Sequence, residues 1–164
     1  MSLAMMRAER DEFLLARHTG VMVVAGGGRI YSMPVWYDYQ PGGTFGFVLN
    51  DDARRIQAID APDCEIGLTV HDESDQVPAF VTVFGAPVVN REFEPADLSR
   101  LWPTMVQALG GEEIAQRYVA LGGDHWLRQR EGARPGSRRV EMAPERWTSC
   151  DYAKTDRMGQ VLHG

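Results

Sequence analysis

The residue types that carry most acid–base and metal chemistry are present in this chain but are not spaced for it. His18, His71, His125 and His163 share no spacing that a metal site would use. His71, followed by Asp72 and Glu73, reads as a strand end in solvent. Cys64 and Cys150 fit no metal motif or disulfide framework and read as buried thiols. Gly26-Gly27-Gly28 is no dinucleotide fingerprint, because neither the helix nor the ribose-binding acid follows at the required offset. A turn is sufficient for it. No nucleophile, base and orienting group can be assembled from the sequence, nor can a paired acid and base. The chemistry that remains is binding. Arg54 and Arg55 open a predicted helix at 52–60, where forked guanidiniums and helix-end amides can hold a phosphate. The competing reading is an exposed helix with ordinary charges. Asp51 and Asp52 repel a phosphate dianion at short range, and capping alone would explain them. Arg138-Arg139 and Arg128-Gln129-Arg130 read as solvated edges rather than a nucleic-acid stripe.

These residues need a scaffold, and the apolar pattern predicts one made mainly of strands. A short helix is expected at 9–17, stopped by Thr19-Gly20. Strands are expected at 21–25 and 29–39, joined by the three glycines. On the second of these, Tyr31, Met33, Val35, Tyr37 and Tyr39 share one face, while Ile30, Ser32, Pro34 and Trp36 share the other. Pro34 has no amide proton for a ladder, so this strand is expected at an edge, at a bulge, or beside something other than a strand. Further strands are expected at 44–49, 65–71 and 79–89, and extended pattern returns at 138–142 and 146–152 around Pro144. Helices are expected at 95–109 and 112–121, separated by Gly110-Gly111. Leu98, Leu101, Trp102, Met105 and Leu109 form a stripe at helical period that should pack against the strands or a partner subunit, the alternative being a lid over a substrate groove.

Bulk composition narrows the setting. A chain of 164 residues with 44% apolar content can fill one core, so a single domain over 1–164 is expected. No apolar run approaches the roughly 20 residues that span a bilayer, and residues 1–10 form no signal-peptide core. The expected location is the cytoplasm. A net charge of −6 disfavours nucleic acid and acidic membranes as partners. Any ligand phosphate must then be held by a local basic cluster.

In order and spacing, several motifs together resemble a known family. They are Arg17-x-x-Gly20-Val21, the glycine turn, Met33-Pro34-Val35-Trp36-Tyr37, an arginine-bearing helix ending at Pro62, and Val81-Thr82-Val83-x-Gly85. With Arg139-Val140 and Pro144-Glu145-Arg146-Trp147 near the end, they resemble the pyridoxamine 5'-phosphate oxidase-like split barrel. The resemblance implies an α+β fold: a mainly antiparallel split β-barrel with short helices and a C-terminal helical insertion. It implies a homodimer that binds flavin mononucleotide (FMN), or the deazaflavin F420 in some branches, in a groove between subunits. The implied activity is an oxidoreductase acting on a small molecule, with hydride or electron transfer at the ring.

The same resemblance places Met33, Pro34, Val35 and Trp36 beside the flavin ring, and Val48, Leu49 and Asn50 on the next strand against it. Arg54 and Arg55 take the place of the family's phosphate-holding basic pair, although Asp51 and Asp52 stand where small hydroxyl residues are usual. For Trp36 and Tyr37, barrel core or dimer interface is the alternative to cofactor contact. Two rival functions stay open: an F420-dependent reductase, and a non-catalytic barrel that has lost its cofactor and serves as a binding protein. Pyridoxamine 5'-phosphate oxidase activity itself is not expected, because that enzyme's substrate-phosphate residues find no match. The dimer is expected to bury a face carrying Tyr31, Tyr37, Tyr39, Phe80, Phe84 and Val88.

Overall fold

Side chains that alternate in and out along each strand decide how this chain closes on itself. A computed structural model gives residues 2–16, 19–49, 53–72, 78–118, 120 and 137–155. The elements are α1 (Arg7–Leu15), β1 (Thr19–Gly26), β2 (Arg29–Tyr39), β3 (Phe45–Leu49), α2 (Ala53–Ile59), β4 (Glu65–Asp72), β5 (Ala79–Glu92), α3 (Pro95–Leu109) and β6 (Arg138–Asp151). Residues 112–118 are also helical. The strands pair antiparallel and close a barrel in the order β1-β2-β3-β6-β5-β4. The expected α+β split barrel is therefore the observed architecture, with α3 and 112–118 as the helical insertion between β5 and β6.

Inward residues at period two fill the barrel. Met22 and Val24 of β1, Ile66 and Leu68 of β4, Val81 and Val83 of β5, and Val140 and Met142 of β6 are fully buried together with Phe45 and Phe47 of β3. Each such side chain contributes about 1.5–3 kcal/mol relative to exposure. Gly27 and Gly28 both have positive φ, as a tight two-residue hairpin needs, and join β1 to β2. Residues 138–142 and 146–152 do not form two strands. They belong to one, β6, in which Pro144 sits opposite Gly85 at a register shift next to Phe84. A Cβ on Gly85 would overlap the Ala143 carbonyl, so a glycine is what lets the bulge form around the proline.

Two short helices close the barrel ends. Ala58 and Ile59 of α2 enter the core beside the β1–β2 hairpin, where a Cβ on Gly26 would overlap the Ala58 carbonyl. Phe13 and Leu14 of α1 pack at the far end of β2, and the Tyr37 hydroxyl donates to the Leu14 carbonyl at 2.9 Å. Tyr31 and Tyr39 also pack against the core. The three tyrosines expected on a dimer face thus turn inward, because the inward side of β2 is the one continuous with Phe45 and Trp147.

α3 covers the outer side of β2, with Leu101 and Met105 buried beneath it and the Thr104 hydroxyl donating to the Tyr37 carbonyl at 3.2 Å. A buried ion network fixes its first turn. Arg139, 1% exposed, donates to both Asp38 oxygens at 2.5 and 2.9 Å and to Glu141 at 3.0 and 3.2 Å. Asp97, also 1% exposed, lies 4.0 Å from Arg139 and receives paired hydrogen bonds from Arg91 at 2.7 and 2.8 Å. Arg139 is therefore no solvated edge. Burial alone would lower its pKa, but hydrogen bonds and charge from Asp38 and Glu141 raise it above the ordinary arginine value. Burial likewise pushes the Asp97 carboxyl up, and the Arg91 and Glu94 hydrogen bonds with the Arg91 and Arg139 charges bring it below the usual carboxylate value.

His71 is exposed at the end of β4, as expected, while His18, His125 and His163 lie outside the described residues. Cys64 is buried and Cys150 half-buried, and both are free thiols. Burial, with Asp63 and Asp60 nearby, pushes the Cys64 thiol up to about 11, which leaves it protonated at neutral pH. Among the described residues no helix is long and apolar enough to cross a membrane. Among them, too, no three His, Cys, Asp or Glu side chains are grouped to hold a metal ion.

Candidate functional site

The barrel is split along β2. β3 pairs with β2 only at Tyr37, Asp38 and Tyr39, whereas β1 pairs with β2 from Arg29 through Trp36. Beyond Tyr37, β3 leaves β2 and runs along β6, with Val48 opposite Arg139 and Leu49 opposite Arg138. Residues 33–36 are thus flanked by β1 on one side and by the gap on the other. Pro34 lies in this stretch, opposite Val21. Its missing amide proton leaves one donor fewer to satisfy where a strand gains no second neighbour.

A cavity of about 360 Å³ opens in the gap. Met33, Pro34, Val35 and Trp36 of β2 form one wall. Val48 and Leu49 of β3 form another, and Thr19, Arg55 and Tyr118 complete it. This volume falls within the usual range of about 300–1,000 Å³ for small-molecule sites. The walls are mainly apolar, and among the described lining residues Arg55 is the charged one. Its guanidinium Nη1 lies 3.5 Å from the Met33 thioether sulfur, so the cation reaches from α2 across to the β2 wall.

The structure brings together Met33, Pro34, Val35, Trp36, Val48, Leu49 and Arg55, all expected from sequence at one site. Arg54 is exposed on α2 and does not line the cavity. Asn50, with Asp51 and Asp52, lies outside the described residues. α2 has only seven residues, too few for its end to act as an anion site, so the positive charge at the cavity is that of the Arg55 side chain. Tyr37 falls on the core side of β2, whereas Trp36 faces the cavity.

Two lining residues are not expected at the site from sequence, which reads Thr19 as part of a helix stop. Thr19 supplies a hydroxyl from β1, paired in register with Trp36, at a site where β3 has none to offer. Tyr118 comes from the helical run 112–118, and its ring meets Trp36 edge-on with centroids 5.5 Å apart. Only the pairing of β1 with β2 could have pointed to Thr19, and no local signal pointed to Tyr118.

Mainly apolar walls, the hydroxyls of Thr19 and Tyr118 and one cation suit an apolar ring that carries an anionic tail. Solved structures with the same fold place this arrangement in context. A conserved hypothetical protein of Mycobacterium tuberculosis superposes with a TM-score of 0.64 at 17% identity, over 94% of this chain and 89% of that one. A Clostridium acetobutylicum protein related to general stress protein 26, described as of the pyridoxinephosphate oxidase family, gives 0.58 at 14% identity over 89% and 88%. An FAD-binding protein of Mycobacterium smegmatis gives 0.53 at 17% identity over 91% and 98%. At these identities the likeness is one of fold, and it bears out the split barrel that the sequence motifs implied. No protein-family model matches the chain, and no curated protein matches it in sequence.

Proposed function

We propose that the cavity along the split of β2 binds a flavin, with FMN as the favoured form, and that the protein is an oxidoreductase acting on a small molecule as a homodimer. The observation that carries this reading is the convergence of Met33, Pro34, Val35, Trp36, Val48, Leu49 and Arg55 on one wall system. The presence of a flavin-binding protein and a pyridoxinephosphate oxidase family protein among chains of this fold supports it. A bound flavin would supply hydride or electron transfer at its ring.

The chain's own residues would do the rest. Met33, Pro34 and Val35 from one side and Val48 and Leu49 from the other would give apolar walls that exclude water from the ring. Thr19 and the Trp36 indole can hydrogen-bond to polar atoms at the ring edge. Arg55 can pair with a terminal phosphate through two parallel hydrogen bonds. For the dimer, the outward residues Phe80, Phe84 and Val88 of β5 remain candidates after the tyrosines have turned inward, and Val88 is 56% exposed.

The visible absorption spectrum of the purified protein tests this, recorded before and after addition of FMN and, separately, of F420. A bound-flavin spectrum with FMN and none with F420 is the expected result. Binding of F420 alone would replace FMN with the deazaflavin, and binding of neither would leave a barrel that has lost its cofactor.

A further inference from the structure

Tyr118 belongs to no strand of the barrel, yet it completes the wall of the cavity. Its helical run is held from α3. Gly111 donates to the Val106 carbonyl at 2.8 Å, Ala115 is fully buried, and the Trp102 indole donates to the Glu112 carboxylate at 3.3 Å. α3 is itself fixed through the ion pair of Arg91 with the buried Asp97. The ring of Tyr118 is thus carried to Trp36 by a connected series of contacts and meets it at an interplanar angle of 70°. Even so, Tyr118 remains 41% exposed. Tyr118 thus lines the cavity while part of its surface stays open.

We propose that Tyr118 is a specificity-determining residue that forms an aromatic corner with Trp36 and selects ligands by their planar ring system. The inference rests on the flavin reading and adds the part that the helical insertion plays in it. Two aromatic rings set near a right angle offer a third ring one face and one edge, both favoured geometries. A ligand with a phosphate but no ring gains nothing from such a corner. The selection is therefore by ring and is independent of the charge at Arg55.

Fluorescence titrations of the full chain with FMN, riboflavin and lumiflavin, which carries the same ring with a methyl group in place of the ribityl phosphate, test this. Tyr118→Ala should weaken all three by the same factor, about three- to tenfold, as loss of one aromatic contact implies. Tyr118→Phe should stay within about twofold of the wild type, and Tyr118→Leu, which keeps apolar bulk without a ring, should behave like Tyr118→Ala. Comparable melting temperatures would show that the variants are folded. If Tyr118→Ala and Tyr118→Leu bind all three ligands as tightly as a wild type that does bind FMN, the corner is only packing and the flavin reading stands without it. If the wild type binds none of the three, the flavin reading falls and the ring selection falls with it.

Discussion

The guanidinium of Arg139 fills the space above Gly46 that any side chain there would need. Arg139 extends from β6 across β3 to Asp38 on β2, and only a residue without a Cβ lets it pass. Gly46→Ala is therefore expected to force Arg139 away from Asp38 and to destabilise the protein by about 2–4 kcal/mol, combining overpacking with loss of a buried ion pair. Urea unfolding of the variant against the wild type measures this. A change below about 0.5 kcal/mol would mean that Arg139 has another path to its partners.

Asp97 makes the hold on α3 sensitive to acid. Its carboxyl lies below the ordinary carboxylate value in the folded protein, despite burial, because Arg91, the Glu94 amide and Arg139 favour the charged form. A depressed folded value gives stability that is complete above the unfolded pKa of about 3.9 and lost as pH falls through the folded one. Asp97→Asn should therefore lower the melting temperature at pH 7, and the gap from wild type should shrink as the pH is taken below about 4. A gap independent of pH would remove the ionised Asp97 from the account.

Tyr39 sets an alkaline limit. Burial, reinforced by the 2.6 Å hydrogen bond to Asp11 and that residue's charge, pushes its hydroxyl up to about 12. A raised folded value gives stability present below the unfolded pKa of about 10 and lost as pH rises from there through about 12. In an ultraviolet titration Tyr39 should contribute to the ionisation above about pH 11, and Tyr39→Phe should reduce that late part by one tyrosine. A late part of equal size in the two proteins would contradict this.

What could be read in advance followed the reach of local pattern. Pro34 in an apolar strand signalled a flank without a ladder, and the split of the barrel lies there. The sequence neighbours Met33, Val35 and Trp36 came with it. Arg139 could not be found this way. Beside Arg138 it resembled a surface pair, but adjacent strand residues face opposite sides, and its partners Asp38 and Asp97 are distant in the chain. The tyrosines of β2 show the same limit from another side. Period two groups Tyr31, Tyr37 and Tyr39 on one face without saying whether that face points inward, and Phe45, Trp147 and the Leu14 carbonyl decide it. Tyr118 depends on how a helical insertion folds back on the barrel, which no local spacing encodes.

The central claim is that the cavity holds a phosphorylated ring with Arg55 at its charged end. Parallel titrations of the wild type and Arg55→Ala with FMN and riboflavin test it most directly, because the two ligands differ only in the phosphate. Charge-assisted hydrogen bonds worth about 1.5–3 kcal/mol should be lost, weakening FMN about ten- to a hundredfold while riboflavin changes little. Arg54→Ala, on the exposed side of α2, should move neither ligand by more than a few-fold. Equal affinities of the wild type and Arg55→Ala for FMN, or failure of the wild type to bind either ligand, would contradict the account.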